Sequence, residues 1–142
     1  MMWKSACAVL AVGLLLLVAG TIRSENPAMS AKGKDSVSFK ADIFPVIKSR
    51  CLPCHAEDNY NPSELSMDSY SDLMGGGKHG KSIVPGKSKE SPLVQKLKEN
   101  PPFGDRMPLN RKKTIEEGKA KWLSPEEIQR ITQWIDEGAK DN

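Results

Sequence analysis

Residues 49–59 read SRCLPCHAEDN, and within them Cys51, Cys54 and His55 stand at C-x-x-C-H spacing. Three chemistries share that spacing: half of a zinc site, a redox dithiol, and covalent attachment of a haem with the histidine as an iron ligand. A structural zinc ion takes four protein ligands. Beyond the N-terminal segment the chain offers Cys51, Cys54, His55 and one further histidine, His79. Neighbouring Cys54 and His55 project in divergent directions, so a tetrahedron built from all four is strained. A dithiol needs an activated thiolate, favoured at a helix N-terminus, whereas the residues ahead of Cys51 place it at a helix C-terminus. That reading also leaves His55 without a task. Haem attachment employs all three residues, since both thiols add to the macrocycle's vinyl groups and the histidine meets the iron from one side.

The helix that delivers Cys51 is read from FKADIFPVIKSRC, where Phe39, Ile43 and Ile47 recur at i, i+4 and i+8. Pro45 is out of place in a helix interior, where it costs about 3 kcal/mol, so the helix either kinks there or starts its regular part with Pro45 in the first turn. The other end of the chain carries the clearest element. In LSPEEIQRITQWIDEGA, Ser124 is an N-cap, Pro125 the first helical residue and Glu127 the partner in a capping box. Leu123 and Ile128 flank the cap as a hydrophobic staple. Ile128, Ile131, Ile135 and Ala139 share a face, with Trp134 beside it and Gly138 as the stop. Packing is the expected role of Trp122 and Trp134. Between these ends, SYSDLM before Gly75, Gly76 and Gly77, and a segment opened by Ser91 and Pro92, predict short helices. No convincing strand pattern occurs, which makes the expected class all-α.

The beginning of the chain bounds where the domain works. Lys4 precedes an apolar run from Ala6 to Gly20, then Arg23 and Glu25 follow, the layout of an export signal. The uncharged stretch from Ser5 to Ile22 has 18 residues, close to the length of a membrane span. Residues 1–20 are therefore read as a signal peptide, with a retained membrane anchor as the alternative; 21–38 as a flexible linker; and 39–142 as one domain. The expected location is periplasmic or otherwise exported. Cys7 lies inside the apolar run and reads as a small apolar residue. Cys51 and Cys54 are too close together to staple distant parts of a fold by disulfide.

A haem with one histidine that serves electron transfer usually takes a sixth ligand, and a thioether there raises the reduction potential. Met29 lies in the linker, while Met67 and Met74 follow His55 closely and read as packing residues. Met107 is 52 residues beyond His55, in the Pro- and Gly-rich stretch PPFGDRMPLN, with Pro108 stiffening the chain after it. This is the expected distal ligand. His79, in GGGKHGKS, is its rival, but a glycine loop holds a ligand poorly.

Taken together, DIFPVIKSRCLPCH, LMGGGKHGKSIVPGKSKESPLVQKL, RMPL and LSPEEIQRITQWIDEGA resemble the planctomycete-type cytochrome c domain, within the class I c-type cytochromes. The resemblance runs from about residue 39 to 139. It implies an all-α cytochrome c fold, a small helical domain wrapped around one covalent haem c, with Cys51 and Cys54 as attachment points and His55 and Met107 on the iron. Domains of this type often sit at the end of large multidomain proteins, so roles known from such settings do not carry over. The long polar segment NRKKTIEEGKAKW is a second departure.

Charge is unevenly distributed along the chain. Residues 78–113 hold ten basic side chains (Lys78, Lys81, Lys87, Lys89, Lys96, Lys98, Arg106, Arg111, Lys112 and Lys113) against three acidic ones. The stretches on either side are net acidic. A positive field around Met107 would steer an acidic redox partner, although a solvated lysine-rich surface accounts for the same pattern. Nucleic-acid binding is not expected, because the exported domain has little net charge and no aromatic stacking motif. The functional expectation is a one-electron carrier and not an enzyme, with membrane contact only through a retained N-terminal segment. The alternatives are a haem-based sensor with a displaceable Met107, or an enzyme module, for which no distal acid/base pair is evident.

Overall fold

A computed structural model describes residues 36–142, so the expected signal segment and most of the expected linker lie outside the described residues. The described chain is helical, and its sole pairing of extended backbone is an isolated bridge between Gly77 and Gly80. The all-α expectation holds.

The first helix solves the Pro45 problem in two parts. Residues Phe39–Ile43 form a wide π-helical turn capped by Ser38, whose hydroxyl accepts from the Ala41 N–H. A regular helix, α1 (Phe44–Arg50), then begins with Pro45 in its first turn, where the missing N–H has no intrahelical partner to lose. Phe39, Ile43 and Ile47 are buried as their spacing predicts. Helix α1 is capped by Cys51, whose N–H donates to the Ile47 carbonyl at 2.8 Å. A single turn, α2 (Leu52–His55), follows directly.

Helix α3 (Tyr70–Gly75) is capped by Ser69, and α4 (Pro92–Leu97) starts at Ser91. Ser91 does not cap in the usual way. Its buried hydroxyl accepts from the Val84 N–H at 2.9 Å and donates to the Lys87 carbonyl at 3.0 Å, closing the 84–91 loop instead. The polar segment after the methionine contains one short exposed helix, α5 (Lys112–Glu116). Helix α6 (Pro125–Asp136) carries the full capping box: Glu127 N–H to Ser124 Oγ at 3.2 Å and Ser124 N–H to Glu127 Oε2 at 2.7 Å.

The core joins the two ends of the domain. Phe39 meets Trp134, Tyr70 and Phe44 with ring centroids 5.4, 5.2 and 5.5 Å apart. Trp134 is 1% exposed and its indole N–H donates to the Lys140 carbonyl, so the ring fills the core without stranding its donor. Ile131, Ile135 and Ala139 are buried beside it, and Leu73, Val94 and Leu97 add α3 and α4. Val37 is also buried, its N–H donating to Glu137 at 2.8 Å. Asn142 fastens the same corner: its backbone carbonyl accepts from Lys40 N–H and Ser38 Oγ, and its side chain accepts from Phe39 N–H. Among the described residues no helix is long and apolar enough to cross a membrane.

Candidate functional site

The C-x-x-C-H stretch is one helical turn opened by Cys51 as its N-cap, with the N–H groups of Cys54 and His55 both donating to the Cys51 carbonyl, at 3.0 and 2.9 Å. Residues three and four apart are neighbours on a helix surface, so this turn sets Cys54 and His55 each beside Cys51. Both cysteines are free thiols, Cys51 half-buried and Cys54 exposed. Burial pushes the Cys51 thiol up from 9.0 to about 11, with the negative charges of Glu127 and Cys54 adding to the effect. An attacking redox thiol is tuned in the opposite direction, which weighs against Cys51 as the nucleophile of a dithiol. No group of three or more His, Cys, Asp or Glu side chains suited to holding a metal ion occurs among the described residues.

His55 is oriented by the loop that follows it. Its Nδ1 lies 3.0 Å from the Leu65 carbonyl oxygen, while the Met67 N–H donates back to the His55 carbonyl at 2.9 Å. A carbonyl only accepts, so the proton belongs on Nδ1 and the Nε2 lone pair is left for a metal. The loop is itself held against the glycine run: Lys78 N–H donates to Ser63 O at 2.8 Å, and a Cβ on Gly77 would come within 2.4 Å of that same oxygen. The glycines thus serve close backbone approach and hold the loop in place. His79 sits exposed at the tip of the Gly77–Gly80 turn.

Met67 is core and Met74 packs half-buried against it, as expected for the two methionines that follow His55. Met107 is half-buried, and its N–H donates to the Lys96 carbonyl at 2.8 Å, which fastens the loop to the end of α4. The Met107–Pro108 peptide bond is cis. Two contact chains lead from both parts of the expected site to the start of α6. Arg50, next to Cys51, pairs with Glu127 at 3.3 Å. Arg106, next to Met107, lies over the ring of Trp122 with its guanidinium carbon 4.2 Å from the centroid.

The sequence reading missed Leu65 as the acceptor for His55, because a backbone carbonyl leaves no residue signature. It also gave Arg106 no role of its own. A surface hollow of about 440 Å³ bordered by Tyr60, Asn61 and Lys78 includes none of the cysteines, His55 or Met107.

Residues 51–108 match the family described as Planctomycete cytochrome C, from the first cysteine to the proline after Met107. The chain carries a planctomycete-type cytochrome c domain. A search of curated proteins finds no match. Among solved structures, the Kuenenia stuttgartiensis hydrazine synthase is 28% identical with a TM-score of 0.45, the match covering 72% of this chain and 16% of that one. The cytochrome c family implies covalently bound haem c, and the residues present fit it. Two free thiols stand one helical turn apart, and the adjacent imidazole is held in the tautomer a metal requires. Leu52, Leu65, Leu93, Met107 and Ile128 also pack against the core while remaining only partly covered.

Proposed function

We propose that this cytochrome c domain is a one-electron carrier working outside the cytoplasm, with one haem c attached through Cys51 and Cys54 and ligated by His55 and Met107. The observation that carries the reading is the fixed His55 ring, with Nδ1 committed to the Leu65 carbonyl at 3.0 Å. Haem c, when bound, supplies a ferrous/ferric couple at a single iron. The polypeptide's part is to hold that iron's surroundings constant. The Leu65 tie keeps the imidazole from rotating, and the Lys96–Met107 backbone bond limits movement of the thioether. Both restraints keep the reorganisation that accompanies electron transfer small.

The proposed partner is an acidic redox protein, docking through the basic region of residues 78–113. Exposed Phe103 and Leu109 flank Met107 there, offering apolar contact amid Lys98, Arg111, Lys112 and Lys113. Lys112 and Lys113 pair with Glu116 and Glu117 at 3.8 Å, so neighbouring carboxylates offset part of the positive field of the region.

Replacing Met107 by alanine tests the assignment. The variant is expected to keep its covalent haem, show a lower reduction potential, and bind carbon monoxide rapidly in the reduced state, where the wild type resists it. An unchanged spectrum and potential would remove Met107 from the iron. Rapid carbon monoxide binding by the wild type would instead favour a ligand-binding role.

A further inference from the structure

Arg106 is half-buried, yet no hydrogen bond or ion pair satisfies it among the described residues. The other described arginine of similar exposure, Arg50, is paired with Glu127. The Arg106 Nε is buried with no hydrogen-bond partner, and the guanidinium rests on the face of Trp122. A charged group withdrawn from water normally acquires a counter-charge, because burial without one is costly. Stacking on an indole positions a guanidinium and partly stabilises it, but leaves its donors unused. Only Nε is cut off from solvent, and the terminal nitrogens have no carboxylate partner among the described residues, which leaves them open to an anion from outside the chain.

Arg106 immediately precedes Met107, whose N–H is fixed to the Lys96 carbonyl, so the residue that carries this guanidinium belongs to the same fastened loop as the expected iron ligand. A haem has two ionised groups on its periphery, both propionate carboxylates, and a planar guanidinium matches a carboxylate in geometry and charge. Lys96, whose carbonyl holds Met107, is a cation already engaged: its Nζ donates to the Phe103 carbonyl at 3.0 Å.

We infer that Arg106, held flat by Trp122, anchors a haem propionate through its terminal nitrogens. The buried Nε is the one donor of the fork closed to the ligand, and the charge-assisted bond on the same group offsets its isolation. The inference rests on the haem reading above. Arg106 is on this account a positioning residue for the cofactor, and it adds a positive charge that favours the ferrous state.

The test uses the intact haem-loaded protein, with haem staining on a denaturing gel beside resonance Raman spectra of the propionate-bending region and potentiometry. Arg106→Gln is expected to stain like the wild type, shift the propionate band and lower the potential. Arg106→Lys keeps the charge but replaces the fork with one ammonium; it shifts the band too while holding the potential nearer the wild-type value. If the glutamine variant does not accumulate, the lysine variant carries the test. Haem-stained variants whose propionate band stays at the wild-type position would overturn the role of Arg106, and would assign its terminal nitrogens to water or to an acidic partner. A wild-type protein that does not stain would remove the haem reading itself.

Discussion

Replacing Glu127 by alanine cuts two connections at once, and their sizes can be separated. Its carboxylate accepts from the Ser124 N–H at 2.7 Å, one half of the capping box that starts α6, and also pairs with Arg50 at 3.3 Å. Losing an N-terminal capping interaction costs about 1 kcal/mol. The ion pair is partly solvated, with side chains 34% and 23% exposed, and is worth ~0.5 kcal/mol. Glu127→Ala is therefore expected to cost about 1.5 kcal/mol, which for a domain of this size lowers the melting temperature by roughly 6 °C. Glutamine retains an acceptor for the Ser124 N–H and loses only the charge, so Glu127→Gln should cost ~0.5 kcal/mol and about 2 °C. Thermal unfolding of the haem-loaded protein followed by far-ultraviolet circular dichroism measures both. Equal losses in the two variants would refute the capping argument, and no loss in either would refute the claim that Glu127 joins α6 to the helix carrying Cys51.

Three further outcomes follow from the packing and the charge pattern. Trp134→Ala, which empties the centre of the aromatic cluster and strands the Lys140 carbonyl, should destabilise by about 3–5 kcal/mol in urea unfolding. Asn142→Ala removes the side-chain acceptor of the Phe39 N–H at 2.9 Å and should cost about 1 kcal/mol by the same measurement, while the reduction potential stays unchanged. Electron transfer to an acidic partner should slow as salt is raised. Neutralising Lys98 together with Arg111 should weaken that salt dependence, measured by stopped-flow rates at several ionic strengths.

The parts of this fold that were legible in the sequence are those whose signals are local. Ser124, Pro125 and Glu127 lie within four residues and each meets a backbone need of one helix end, so α6 appears where its residues predict. The C-x-x-C-H turn is similarly self-contained. The π-helical turn before Pro45 is less readable, because the i, i+4, i+8 spacing of Phe39, Ile43 and Ile47 suits a helix wound either way. Pro45 in the first turn of α1 marks where the wider winding ends. The glycines at 75–77 read as a loose loop, whereas Gly77 fits against Ser63 at a distance no Cβ allows. Two features of the site had no sequence signal. The tie from His55 to Leu65 ends on a backbone oxygen, and the stacking of Arg106 on Trp122 joins residues 16 apart across α5, which no short motif spans.

The central claim is that Cys51, Cys54 and His55 form a haem attachment site, and the mass of the denatured polypeptide tests it most directly. Protein exported from a host that matures c-type cytochromes should keep one haem through denaturation, adding a single haem to the chain mass and staining for haem on the gel. Replacing Cys51 and Cys54 together by alanine should abolish both signals. A wild-type polypeptide with no added mass and no stain, purified from such a host, would contradict the claim.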